Sequence, residues 1–485
     1  MATNSLKQQA ISGVFWSAIQ QFGTSIISFL SNIVLARLLS PDDYGCIGLL
    51  TIFIAISNVF IFGGFVSALI QKKDAANIDY TTAFYWNIII SIIFYAILFF
   101  SAPLIASFYH IALLKDILRV LGLLLIISGF SVVQNTILRK TFQFNKLARI
   151  DIIAAIISVI FSITLALIGF GIWSLVAQQL IARTCRVFLL WQSSNWRPQL
   201  AFSIKSFREM FSYGSFLLLS DLLNCIVDNI QGLLIGRRYS ASQMGFYSQA
   251  KKLEEIPTTS ISYLVNNVTF PIYSKIQDNP GKLKKAVKES ISMMNFINFP
   301  LMLMLVAIAK SLLITLYSDK WIESVPYFQI LCLGGLVNCI QSVNYQVVAA
   351  VGRSKELFNW NIVKRSVGIV LIIIGTNFGV KGILWGMVIG MYFTSIVNSC
   401  LAGKSTGYGL IDQIKDSLPL LMISVISSAF SYLPTLWDFP FCLLLVLQVI
   451  VFMITYLLLS KAFKRQELDE CRLIINNYLG KGKNK

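Results

Sequence analysis

Apolar stretches of about 20 residues, the length that crosses the hydrocarbon core of a bilayer as a helix, recur along nearly the whole of this chain. They fall at 11–36, 45–70, 82–102, 117–138, 150–169, 172–192, 211–235, 244–272, 291–314, 327–350, 362–379, 382–402, 418–434 and 439–460. The expectation is an all-α integral membrane protein of about 14 transmembrane helices. The connections are short, and two of them are tight Gly-containing turns, at 169–173 and 377–382. No stretch is left from which a separate soluble domain would form. The eighth run is the least apolar, with Lys251, Lys252, Glu254, Glu255 and Pro257 inside it.

Composition agrees. Only 13% of the 485 residues are charged, where a soluble globular domain carries about 25%. The balance of 40 Lys and Arg against 22 Asp and Glu leaves a net charge of +18. In a soluble protein that would point to nucleic acid. Here the basic residues sit in short loops, as positive-inside topology requires. Arg139, Lys140, Lys146 and Arg149 share one loop, and Lys275, Lys282, Lys284, Lys285 and Lys288 another. With the N-terminus cytoplasmic, most of the basic residues fall inside, and both termini are cytoplasmic. The N-terminal run is far longer than a signal h-region and reads as a retained first helix. The tail, 461–485, is basic with a few apolar residues, and suits either an interfacial helix or a solvated end.

Eight cysteines show no CxxC spacing, and His110 is the one histidine. The sequence therefore predicts no metal site, and His110 reads as a loop residue at a membrane interface. There is no P-loop, GxSxG or HExxH motif, so the chain reads as a non-enzyme without a cofactor.

A repeat at an offset of 200 organises the rest. Arg37, Ser40 and Gly45 match Arg237, Ser240 and Gly245. In the helix before each, polar residues keep one face by steps of three, four and three. These are Gln21, Thr24, Ser28 and Ser31 in the first, and Asp221, Asn224, Asp228 and Gln231 in the second. Phe170-Gly171-Ile172 is echoed by Phe378-Gly379-Val380. Six spans separate the matching helices, so the halves share one orientation. Parallel repeats imply two six-helix lobes around a central cavity, related by an axis along the membrane normal. The expected divisions are 1–200, 201–405, a helix pair at 406–460 and the tail at 461–485.

Ionisable groups within a bilayer are costly and face protein or a water-filled cavity. Asp221 and Asp228 are suited to coupling a proton or sodium gradient, to positioning an arginine, or to locking two helices by an ion pair. Arg37, Arg237, Arg238, Lys251 and Lys252 lie near the outer ends of their spans, against the positive-inside trend. They suit an anionic substrate, since guanidinium binds phosphate bidentately. The competing reading is snorkelling to outer headgroups. For Lys251 and Lys252 the alternative is neutralisation by Glu254 and Glu255 at helical spacing. Asn338, Gln341, Asn344 and Gln346 in the tenth run suit sugar hydroxyls or, more commonly, interhelical hydrogen bonds.

The run Ile33-Val34-Leu35-Ala36-Arg37-Leu38-Leu39-Ser40-Pro41-Asp42-Asp43-Tyr44-Gly45 resembles the loop after the first helix of bacterial Wzx-type polysaccharide flippases. These belong to the multidrug/oligosaccharidyl-lipid/polysaccharide exporter superfamily. Leu138-Arg139-Lys140-Thr141-Phe142-Gln143-Phe144, the segment 169–177, Tyr247-Ser248-Gln249-Ala250-Lys251-Lys252-Leu253 and Asp319-Lys320-Trp321 are similar to further segments of that family. The resemblance implies two lobes and a cationic cavity open alternately to either side of the bacterial inner membrane. It implies a substrate as well, an undecaprenyl-diphosphate-linked oligosaccharide bound for O-antigen, capsule or exopolysaccharide, with Arg37 and Arg237 as candidates for the diphosphate. Implied partners are that lipid-linked glycan, the membrane lipids, a polysaccharide polymerase and a chain-length regulator. Asp221 and Asp228 depart from a purely cationic lumen. A cation-coupled drug exporter of the same superfamily, a lipid II flippase and a membrane glycan polymerase are the competing readings.

Overall fold

The structure, a computed structural model, describes residues 2–72, 74–465, 467–470 and 473. Every regular element among the described residues is helical. The chain runs through α1 (Ala2–Leu38), α2 (Pro41–Phe62), α3 (Phe65–Gln71), α4 (Asn77–Tyr109), α5 (Leu113–Gly129), α6 (Val132–Lys140), α7 (Phe144–Leu167), α8 (Trp173–Ser193) and α9 (Ile204–Arg238). It continues as α10 (Ala241–Ile276), α11 (Pro280–Tyr317), α12 (Ser324–Gly335), α13 (Asn338–Ala350), α14 (Ser354–Gly375), α15 (Gly379–Thr406), α16 (Leu410–Phe430) and α17 (Phe441–Ala462). Most of the basic tail lies outside the described residues.

Each apolar run coincides with one helix or, at 45–70, 117–138 and 327–350, with two separated by a short break. The break between α5 and α6 bends the chain by 43°. Among the described residues, ten segments are long and apolar enough to cross a membrane, or eleven with that bent pair taken as one span. One of the ten, Ser354–Thr406, spans 53 residues. It folds as α14 and α15 packed antiparallel. Gly382 lies on Gly375, Gly386 on Leu371 and Gly390 on Gly368, and the turn between the helices is made at Gly379 with φ 80°. α8 and α10 fall outside the ten; α8 carries Arg183 and Arg186, and α10 carries Lys251, Lys252, Glu254 and Glu255.

The helices group into two compact units, residues 1–245 and 246–485. In the first, α1 packs on α7, α7 on α8, and α8 on α5; α4 packs on α5 and α9, and α2 on α5 and α9. One interior ion pair ties several of these helices together. Arg186 of α8 donates from Nε to Asp151 Oδ1 of α7 at 2.6 Å and from NH2 to Asn135 Oδ1 of α6 at 3.2 Å. Gln20 of α1 donates to the second oxygen of Asp151. One carboxylate thus joins three helices, and an amide brings in a fourth. At the edge, Lys72 bridges Asp79 at 2.9 Å and Glu209 at 3.1 Å. The hydrogen bond to Asp79 holds the Lys72 ammonium above its ordinary pKa.

In the second unit α11 is the central post, with α12, α13, α16 and α17 against it. Amides close the interior. Asn344 Nδ2 donates to Ser399 Oγ at 3.0 Å and to Gln413 Oε1 at 2.9 Å, and Gln413 Nε2 returns a bond to Asn344 Oδ1 at 2.9 Å. Lys364 is only 5% exposed in the middle of α14, and its Nζ donates to Asn398 Oδ1 of α15 at 2.7 Å. Of the amides of the tenth run, Asn344 thus makes interhelical bonds, as is usual for such groups inside membranes, while Gln341 Nε2 donates to Asn338 Oδ1 within α13 at 2.6 Å.

Removing one partner of a buried ion pair strands the other charge, at a cost of about 3–5 kcal/mol. Asp151→Ala should accordingly lower the unfolding temperature of the detergent-solubilised protein. The double variant Asp151→Leu with Arg186→Met should recover most of it, because no charge is then left without its counter-charge. Thermal scanning of the three proteins checks this.

Candidate functional site

The residues that repeat at offset 200 meet. Ser40 stands before α2 in extended conformation, φ −90° and ψ 160°, with Pro41 in the first turn. Its Oγ accepts from the Asp43 N–H at 3.2 Å, while Asp43 Oδ2 accepts from the Ser40 N–H at 2.9 Å. This is a reciprocal capping box. Ser240 takes the same place before α10, with its Oγ accepting from the Gln243 N–H at 3.3 Å. The two capped ends then cross. A Cβ on Gly45 would overlap the carbonyl of Ala241, and one on Gly245 would overlap the carbonyl of Pro41. Position 45 meets 241 just as 245 meets 41. Ser242 Oγ donates to Asp42 Oδ1 at 2.7 Å, between residues 200 apart. Only glycine permits backbones to approach this closely.

The arginines end the helices that lead into this crossing. Arg37 is exposed in the last turn of α1, and Arg237 and Arg238 are exposed at the end of α9. Arg237 is engaged within the protein. NH1 donates to the Phe108 carbonyl at 3.0 Å and lies 3.0 Å from His110 Nε2, and the guanidinium sits 4.9 Å above the Phe108 ring. Phe108 belongs to the last turn of α4, where a cation is favoured by the helix dipole. His110 caps that helix in the left-handed region, φ 58°. The histidine thus closes the helix end that Arg237 reaches.

The polar stripes do not behave as uniform cavity linings. On α1, Gln21 and Ser28 are exposed. Thr24 turns its hydroxyl to the Gln20 carbonyl at 2.7 Å, and Ser31 is buried and accepts from Gln178 of α8 at 2.8 Å. On α9, Asp221 and Asp228 are exposed and Asn224 is half-buried. Gln231 is buried, with Nε2 donating to the Asp228 carbonyl at 2.6 Å. On α10, Lys251 pairs with Glu255 at 3.6 Å, and Lys252 follows it on the helix. Neutralisation by Glu254 is replaced by burial. Glu254 is 6% exposed, and its hydrogen bond comes from the Thr258 hydroxyl. Neighbouring helical residues point about 100° apart, so one of two adjacent acids faces protein when the other faces out.

Residues 34–326 match the family described as polysaccharide biosynthesis protein. The chain belongs to that family. It is 27% identical over 359 residues to the teichuronic acid biosynthesis protein TuaB of Bacillus subtilis, covering 74% of each chain. It is 24% identical over 404 residues to the lipopolysaccharide biosynthesis protein WzxC of Escherichia coli, covering 82% of this chain and 81% of that one. Its fold is that of a lipid II flippase, MurJ, in an inward closed conformation. The TM-score is 0.78 at 18% identity, over 94% of this chain and 100% of the other. A multidrug-resistance MATE transporter in an inward-facing conformation shares the fold at a TM-score of 0.61 and 16% identity, over 81% and 98% of the two chains. The chain is thus a multi-pass membrane member of a polysaccharide-biosynthesis family, and it shares its fold with MurJ.

The crossing of α2 and α10 predicts a cross-link. With the native cysteines replaced, Asp42→Cys together with Ser242→Cys should be joined by a short thiol cross-linker in native membranes, seen as a gel-mobility shift.

Proposed function

We propose that this protein moves undecaprenyl-diphosphate-linked oligosaccharide repeat units from the cytoplasmic to the periplasmic leaflet of the bacterial inner membrane, by alternating access, for surface polysaccharide assembly. The carrying observation is the match of 34–326 to a polysaccharide biosynthesis family in a chain built of apolar, membrane-length helices. Glycans assembled on a lipid inside the cell need a membrane protein to pass the headgroup across. The names of TuaB, WzxC and the succinoglycan biosynthesis transport protein ExoT of Rhizobium meliloti, 25% identical over 419 residues, agree with such a pathway. In this reading the chain crosses the membrane about 14 times, with α8 and α10 included and both termini cytoplasmic. Two six-helix lobes, 1–200 and 201–405, enclose the cavity, and the pair at 406–460 stands beside them.

Arg37 and Arg238 bind the diphosphate through bidentate guanidinium contacts. Lys251 and Lys252 add point charge. Arg237 divides its hydrogen bonds between the end of α4 and the ligand. Asp221 and Asp228, exposed on α9, serve either to couple an ion gradient or to position an arginine. The polyprenyl chain remains in lipid while the headgroup passes, and net direction comes from an ion gradient or from a polymerase that consumes the product outside. The two facing states differ in population only by the substrate's differential affinity for them.

Lipid II is the second reading, favoured by the fold shared with MurJ. It carries the same diphosphate, so the sugars decide. Reconstituted protein should translocate a lipid-linked polysaccharide repeat unit and leave lipid II in place; the reverse preference makes it a lipid II flippase. Charge-assisted hydrogen bonds contribute about 1.5–3 kcal/mol each. Arg37→Gln and Arg238→Gln should therefore each weaken binding of the lipid-linked diphosphate roughly tenfold or more, with protein abundance unchanged. Wild-type affinity in the double variant would remove the phosphate role.

A further inference from the structure

The buried acid on α10 has no part in the substrate site. Glu254 points into the second unit, towards α11 and α12. A Cβ on Gly335 would stand 3.1 Å from Glu254 Oε1 and 2.8 Å from Met302 Sδ, so the bare backbone at 335 makes the room the carboxyl occupies. Cys332 lies on the same side of α12. The hydrogen bond to the carboxyl is donated by Thr258 Oγ1, one turn along, at 2.5 Å. The charged groups nearest to it, Lys251 and Glu255, are on its own helix and are paired with each other. α11 and α12 present Met302 and Cys332 towards it.

Other interior ionisable groups are settled differently. Asp151 has a guanidinium at 2.6 Å. Lys364 is fixed to an amide oxygen. Asp221 and Asp228 are exposed. Glu254 alone among these is a buried carboxyl held by a hydroxyl, with no ion pair among the described residues. A carboxylate in such a pocket is penalised and a carboxylic acid is not, so the group is stable here with its proton and stable without it only where water reaches it. A packing arrangement that buries and exposes this group alternately takes up and releases a proton each time.

We propose that Glu254 is a proton-binding site of the transport cycle. It holds its proton while α10, α11 and α12 are packed as in this structure and yields it to water when they part. In the release step the O–H bond breaks, the electron pair stays on the carboxylate and water takes the proton. This rests on the alternating-access reading above and adds to it the ion that is coupled and the residue that carries it.

The test uses the purified full-length protein in proteoliposomes with a fluorescent undecaprenyl-diphosphate oligosaccharide and an imposed pH difference of either sign. One proton per cycle biases the leaflet distribution by up to about tenfold per pH unit. Wild-type transport should respond to the sign of the pH difference. Glu254→Gln, which keeps an acceptor for Thr258, should still equilibrate the probe between leaflets but lose that response. Glu254→Asp should restore part of it. Infrared spectra of the wild type should in addition show a carboxylic-acid C=O band at neutral pH, and Glu254→Gln should remove it. A pH response equal to wild type in Glu254→Gln, a wild type indifferent to the pH difference, or a wild type without such a band overturns the proposal. Failure of the wild type to move the probe at all overturns the flippase reading instead, and the infrared result then decides the protonation of Glu254 by itself.

Discussion

A peptide group in hydrocarbon has no water to bond to, and each unsatisfied N–H or C=O there costs several kcal/mol. This one requirement accounts for most of the described chain. It forces helices wherever the sequence stays apolar, and it decides what the few polar side chains do. Thr24, Ser57, Thr82 and Ser424 turn their hydroxyls to carbonyls of the preceding turn. Lys140 donates to the carbonyls of Leu69 and Lys72, where α3 has run out of its own donors. Arg237 does the same for the Phe108 carbonyl near the end of α4. Charge in this protein serves backbone ends and a few internal pairs before it serves anything else.

The helical layout was legible because hydropathy is a local property. Fourteen apolar runs were visible as runs, and helices lie over each of them. What hydropathy does not encode is where a run breaks. The interruptions between α2 and α3 and between α5 and α6 occur inside stretches that remain apolar throughout. The repeat at offset 200 was legible as matched residues. Its purpose was not, because the contact of Gly45 with Ala241 and of Gly245 with Pro41 depends on how distant segments cross.

For the candidate site the division runs along the same line. Spacing placed the arginines at helix ends, where α1 and α9 do end, and put the polar residues of both helices on common faces. Spacing could not foresee that Ser31 would be buried against Gln178, or that Arg237 would be held by Phe108 and His110. Asp151 and Arg186 stand within the apolar runs 150–169 and 172–192. Their pairing is an ordinary consequence of burial, but it joins residues 35 apart. Glu254 and Glu255 are the sharpest case. Two identical neighbours acquire opposite surroundings because a helix rotates between them, and only the packing partner shows which one turns inward.

The crossing of α2 and α10 has a further consequence. Two glycines pressed against facing carbonyls set the spacing of these segments by backbone geometry, so a side chain at 45 or 245 would have to force the two backbones apart. The junction of residues 41–45 with 241–245 thus ties together stretches about 200 residues apart, and a single added methyl group at either glycine is enough to undo it.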